Sequence, residues 1–385
     1  MVNTNIVQIT AVCKVLPVGE ICEKLLIKFD QQVKAESVSK ECFEVKERNI
    51  LDVTVAENTV RLALNPLDEK AKTYIAGMPF RGIEAHMVEN EAEVRIVKTF
   101  ETENGTVIQQ TDFLKNTNRV NEAVDRFVFC EFEDIKYALF VPEDYDSSIE
   151  YPIVQFIHDA SACGDEPRLT LCQGVGALSF AEKGFQKKHP CFVFAPQFSG
   201  KPIVDDEWNV SEKLETAKRA LDYVIDNYSI DRNRVYTTGQ SMGCMASIVL
   251  NVRYPDYFAA SFLVAGQWDD RNINGLEKQN LWMMCSQGDA KAFPIMNQMC
   301  VQMEKAGANV AHKVIEANLS EEAFAEATAD IVNSGANVIH TVLKLETVAN
   351  GWHSNGGEHH VNTWQSAYDI SAVKEWMFSK IREEQ

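Results

Sequence analysis

The stretch Arg234-Val-Tyr-Thr-Thr-Gly239-Gln240-Ser241-Met242-Gly243 constrains this chain more than any other, because a β-branched, aromatic run enters a Gly-x-Ser-x-Gly turn and leaves as a helix-like segment, Cys244 to Arg253. A strand that becomes a helix over so few residues has no room for a side chain at Gly239 or Gly243, and it leaves Ser241 projecting above a sheet on a strained backbone. This is the layout of a nucleophile elbow. A serine in an ordinary turn would satisfy the bare motif. What adds weight is its setting: a strand before, a helix after, and acid and histidine candidates downstream in the right order.

At 385 residues the chain exceeds the usual single-domain size, so two domains are expected. Hydrophobic residues at 45% and charged residues at 24% are ordinary globular values. A formal charge of −19 removes the basic footprint that phosphate-backbone binding requires, which argues against nucleic acid and anionic membranes as partners. No apolar run is long enough to span a bilayer, and Met1 to Thr10 lacks a basic start followed by an apolar stretch. The expectation is a cytoplasmic protein as the chain stands, or a secreted one if a leader has been removed. The ten cysteines are scattered without Cys-x-x-Cys spacing, as small buried hydrophobes rather than a zinc site or disulfide framework.

The two halves differ in period. From Asn5 to about Arg126, short alternating runs such as Ile6-Val-Gln-Ile-Thr-Ala-Val and Thr59-Val-Arg-Leu-Ala-Leu are separated by polar turns, which predicts antiparallel strands and a small β-sandwich over residues 1–125. His86 stands by itself there and is read as structural or exposed. From Phe127 onward strands alternate with helices, the signature of a mostly parallel sheet covered on both faces over residues 126–385. Leu214, Ala217, Leu221, Val224 and Tyr228 share one helical face, with Asn209 and Glu212 placed for a capping box. Val310 to Ile315 and the helix capped by Ser320 read as an addition near the active-site end, the helix most simply for packing. The strand order is that of an α/β-hydrolase sheet.

A serine hydroxyl needs a histidine to take its proton and a carboxylate to orient that histidine. Asp289 suits the acid position, at the glycine turn that ends Leu281-Trp-Met-Met-Cys-Ser-Gln-Gly288, with Asp269 and Asp270 in reserve. His353, His359 and His360 follow the final strand. Glu358 is the only carboxylate beside them, so a metal site is not expected. The oxyanion of a tetrahedral intermediate needs two backbone N–H donors: Met242, after the nucleophile, and Ala160, in the loop after His158. His158 follows the wrong strand to be the base. Gln240, Trp208 and Trp268 are read as substrate contacts.

Several segments resemble a known group: Pro142-Glu-Asp-Tyr145, Phe156-Ile-His-Asp-Ala, Phe194-Ala-Pro-Gln197, Ile230 through Gly243, and Phe258-Ala-Ala. They are similar to the predicted-peptidase or esterase branch of the α/β-hydrolases, which includes polyhydroxybutyrate-depolymerase-like and feruloyl-esterase-like enzymes, often with an N-terminal immunoglobulin-like domain. The resemblance covers most of Phe127 to Gln385 and is only architectural before it. It implies Ser241 as nucleophile, Asp289 as acid and His360 as base, since the family's base precedes a Thr/Ser-Trp pair as His360 precedes Thr363-Trp364, with His359 as the neighbouring alternative. The chain departs from the group in having His158-Asp-Ala-Ser for His-Gly-Ala-Gly and Cys244 for a glycine.

These features imply a serine carboxylic-ester hydrolase acting on small or medium acyl esters without a metal or organic cofactor. A serine peptidase of the same fold and a degenerate hydrolase used for binding are the alternatives. The N-terminal half is a place where a homo-oligomer could assemble.

Overall fold

The computed structural model describes residues 5–348 and 356–382. They divide into two compact units, one within Met1–Ile75 and His86–Arg126, the other within Ala76–Ala85 and Phe127–Gln385. A division at residue 125 does not foresee Ala76–Ala85, which folds with the second unit.

The first unit holds a five-stranded sheet in the order Asn118–Val120, Ile6–Leu16, Gly19–Phe29, Thr59–Leu64, Ile50–Ala56, and a three-stranded sheet in the order Leu114–Lys115, Glu93–Ile96, Phe43–Val45. Alternation decides which side chains face inward: Ile9, Ala11, Cys13 and Val15 are all buried from one strand. Ile9, Ala11 and Cys13 join Leu25, Ile27 and Phe29, together with Phe43, Val94 and Ile96 of the smaller sheet, in one apolar cluster. Phe29 meets Phe100 edge-on at 5.6 Å. His86 is exposed on a short strand.

In the second unit the strands are β1 (Val128–Phe132), β2 (Ile135–Phe140), β3 (Tyr151–Ile157), β4 (Phe192–Gln197), β5 (Ile230–Gln240), β6 (Ala260–Val264), β7 (Leu281–Ser286), β8 (Val310–Ile315) and β9 (Val338–Leu343). They form a single nine-stranded sheet in the order β1-β2-β4-β3-β5-β6-β7-β9-β8. Pairing is antiparallel from β1 through β2 to β4 and parallel from there on. β3, β4, β7 and β9 are buried along their whole length, which is what continuous apolar runs require of central parallel strands. The edge strands β1 and β8 keep exposed positions.

The principal helices are α1 (Lys213–Asn227), α2 (Met242–Arg253), α3 (Ala292–Lys305), α4 (Glu321–Val332), α5 (Gly356–Ala367) and α6 (Ser371–Phe378). α1 buries the expected face, Leu214, Ala217, Leu221 and Val224, but its capping box does not form. Asn209 instead turns its amide to the Asp205 carboxylate, Glu212 gives no cap, and it is the Ser211 hydroxyl that accepts the Lys213 N–H at 3.3 Å. Ser320 does cap α4, accepting from the Ala323 N–H. α4 buries Phe324, Thr328 and Ile331, while β8 is an edge strand of the sheet, so this pair extends the sheet and does not line the cavity in front of Ser241. All ten cysteines are free and nine are buried.

Candidate active site

Ser241 lies between β5 and α2 with φ 53° and ψ −117°, a region disfavoured for any residue with a Cβ. The two glycines explain how the chain tolerates this turn. A Cβ on Gly243 would lie 1.9 Å from the Ile157 carbonyl oxygen, and one on Gly239 would lie 2.4 Å from the Gly243 carbonyl carbon. Both contacts are with backbone, which cannot rotate away. The Ser241 N–H is tied to the Val264 carbonyl at 3.0 Å, fixing the turn to β6.

Asp289 follows β7 and His360 sits in the second turn of α5. His360 Nε2 is 2.8 Å from Ser241 Oγ, and its Nδ1 is 2.5 Å from Asp289 Oδ2. Asp289 is buried, and its other oxygen accepts the backbone N–H groups of Lys291 and Ala292 at 3.0 and 2.9 Å. Burial would raise this carboxyl's pKa, but the His360 contact and the two amide donors outweigh it and hold the group below the usual carboxylate range. The His360 ring stands edge-on against Trp364 at 5.1 Å.

The neighbouring alternatives fall elsewhere. His359 is buried, with Nδ1 3.1 Å from Ser286 Oγ, and Asp269 is paired with Arg271 and Asn272. Asp270 lines a different cavity. His353 lies outside the described residues. Because His359 and His360 point apart, they do not converge on a common ion.

The loop after β3 departs from the family pattern and gains a bracing network. Asp159 Oδ1 accepts from the Ser161 N–H at 2.8 Å and from the Ser161 hydroxyl, while Oδ2 accepts from Gln240 Nε2 at 3.0 Å. His158 is fully buried, and its Nε2 accepts the Phe198 N–H at 3.0 Å, which leaves Nδ1–H to donate to the Asp159 carbonyl at 2.7 Å. Burial lowers the His158 pKa and keeps the imidazole neutral in that role. Among the described residues, the N–H groups of Met242 and Ala160 have no hydrogen-bond acceptor. Both residues line the cavity in front of Ser241.

That cavity measures about 710 Å³ and holds all three members of the Ser241, His360 and Asp289 chain. Ala76–Ala85 forms a strap along it, contributing Met78, Phe80 and Arg81. The strap is pinned beside the bracing network: the Gly77 N–H donates to the Ser161 carbonyl at 2.7 Å and the Ala85 N–H to the Cys163 carbonyl at 2.8 Å. Phe80 is 74% exposed, an unusual state for a phenyl ring on a folded segment. On another part of the wall Asp206 forms an ion pair with Lys291 and accepts from Gln267 Nε2 at 3.1 Å. Gln267 is buried, and its Oε1 has no partner among the described residues. None of these strap and wall residues belongs to a motif.

Three expected substrate contacts require correction. Gln240 is 2% exposed and spends its amide on Asp159 and Gln173. Trp268 is part of the apolar core, and the half-buried Trp208 packs edge-on against it at 5.4 Å. None of the three lines the cavity. Their adjacency to the site in sequence becomes support from behind in space.

A solved structure described as a thermostable esterase matches with a TM-score of 0.79 at 22% identity, over 98% of this chain and 100% of that one. The second unit has the α/β-hydrolase fold. Among curated proteins, acetylxylan esterase A of Emericella nidulans is 33% identical over 134 residues, 32% of this chain and 44% of that protein. Acetylxylan esterase A of Aspergillus ficuum is 23% identical over the same length. The chain thus spans 44% of the length of these curated relatives. No protein-family model matches.

Proposed function

We propose that the chain is a serine carboxylic-ester hydrolase. The observation that carries this reading is the unbroken hydrogen-bonded line Asp289–His360–Ser241 on a strained elbow, open to a mostly apolar cavity. Ser241 Oγ attacks the acyl carbon as its proton passes to His360 Nε2, and the Asp289 carboxylate stabilises the imidazolium. The developing oxyanion is received by the Met242 and Ala160 N–H groups, the first at the positive end of α2. His360 then protonates the departing alcohol, and a water activated by the same imidazole releases the acid. This chemistry needs no metal or organic cofactor.

The acetylxylan esterase relatives favour small acyl groups, and the exposed Met78 and Phe80 on the strap favour an apolar portion beside the ester. In the first unit, Ile6–Leu16, Gly19–Phe29, Thr59–Leu64 and Ile50–Ala56 lie in that order in one sheet, edged by Asn118–Val120, with a three-stranded sheet apart from it, an order that favours an immunoglobulin-like reading. This supports an immunoglobulin-like domain before the hydrolase domain, as in the polyhydroxybutyrate-depolymerase-like branch.

Labelling with a fluorophosphonate, followed by assays with short and long nitrophenyl esters and a peptide amide, tests the reading. Covalent labelling at Ser241 with ester turnover is expected. A folded but unlabelled chain would leave only a binding function, and preferential cleavage of the amide would make it a peptidase.

A further inference from the structure

We propose that His312, His340 and Cys300 form a binding site for a borderline-soft divalent metal ion, Zn²⁺ by its chemistry, at the β8 edge of the sheet and separate from the triad. β8 and β9 run parallel in a register that makes His312 and His340 direct partners. Side chains alternate along a strand, so His340 shares the face of Val338 and Val342, which pack in the same cluster as Cys300 of α3. The two Nδ1 atoms are 3.3 Å apart, and one ligand atom from each of the three residues lies within 4.8 Å of the other two.

The nitrogen spacing is that of a metal site. With metal–nitrogen bonds of about 2.0–2.1 Å, two nitrogens at a tetrahedral ion lie roughly 3.3–3.4 Å apart. The orientation of His340 agrees, because its Nε2 faces the Cys285 sulfur at 3.5 Å. With Nε2–H donated to that sulfur, the Nδ1 lone pair points at His312, the arrangement in which an outer partner fixes a ligand's tautomer. A single proton shared between the imidazoles would explain the nitrogen contact, but it leaves the nearby Cys300 thiol with only its weak contact to the Met283 sulfur at 3.9 Å. Two nitrogens and a sulfur, with no carboxylate, suit Zn²⁺ and exclude Mg²⁺ or Ca²⁺. His312 is exposed and gives the ion an entry path, and water would complete the fourth position. On binding, two nitrogen–metal bonds and one sulfur–metal bond form, and the Cys300 thiol proton leaves to solvent.

The test uses the full chain, freed of metal by chelation and titrated with ZnCl₂ by calorimetry and with Co²⁺ by absorbance. One equivalent should bind, Zn²⁺ should raise the melting temperature, and the Co²⁺ complex should show a sulfur-to-metal charge-transfer band. His312→Gln, an exposed substitution that should leave ester turnover unchanged, removes a direct ligand and is expected to weaken binding by at least about 100-fold and to shrink the thermal shift accordingly. Cys300→Ala should remove the charge-transfer band. The proposal is overturned if the wild type binds less than one equivalent, if His312→Gln binds as tightly as the wild type, or if the wild-type Co²⁺ complex lacks the sulfur band.

Discussion

The nucleophile elbow and the strap that faces it meet at one cavity, yet they are built by opposite means. The elbow is fixed by forces acting within a few residues, since at Gly239 and Gly243 a single added carbon would strike backbone. The strap owes its position to partners far away in sequence, with the Gly77 and Ala85 amides bonded to carbonyls of Ser161 and Cys163. Parts of a site held by short-range sterics should therefore fail abruptly when changed, and parts held by long-range contacts should fail by degrees.

The largest expected loss is from Ser241→Ala, which should cut turnover by roughly 10⁴-fold or more while leaving the circular dichroism spectrum intact. Gly243→Ala comes next, because the added Cβ would lie 1.9 Å from the Ile157 carbonyl oxygen, which cannot yield without moving β3. It should lower the melting temperature and reduce kcat by at least about 100-fold through loss of the Met242 donor. Asp159→Ala, which unties Ser161 and Gln240 together, is expected to reduce kcat by roughly 10–100-fold with little change in KM, less than deleting an oxyanion donor outright. Phe80→Ala should act mainly on KM, raising it several-fold for bulky apolar esters, in line with about 1–2 kcal/mol of partial ring burial. Steady-state kinetics on all four variants tests the contrast. If Phe80→Ala depressed kcat as deeply as Gly243→Ala, the division between abrupt and graded parts would be wrong.

Acid titration sharpens the same contrast. Turnover should fall as pH drops, because a protonated imidazole cannot accept the Ser241 proton, and the slope of log kcat/KM against pH should reach one. Stability has its own dependence. The Asp289 carboxyl titrates lower in the folded chain than in the unfolded one, so its contribution is fully present above the unfolded value of about 3.9 and is lost as pH falls through the lower folded value. Asp289→Asn should therefore flatten that portion of the acid-unfolding curve, as followed by fluorescence.

What could be read in the sequence follows from the range of the forces involved. Ser241 and its glycines form one short motif, and Asp289 sits at a recognisable strand-ending turn, so both were legible. His359 and His360 are adjacent on a helix, about 100° apart around its axis, and only the packing of α5 decides which one faces Ser241. Gln240, Trp208 and Trp268 were misread because closeness in sequence to the nucleophile or to a loop says nothing about which side of the sheet a side chain fills. The strap was invisible because Gly77-Met-Pro-Phe-Arg81 lies among the residues of the other unit and carries no periodic signal. Cys300, His312 and His340 are spread over three elements, with no spacing that a motif could capture.

Gly288 has a consequence of its own. A methyl group there would stand 2.3 Å from the His359 ring, so the turn bearing the carboxylate and the helix bearing the imidazole touch without a side chain between them. Their spacing is machined by hard contact before any proton is shared, and the pair should travel as one jaw. A displacement of the helix would then disarm the serine in a single step.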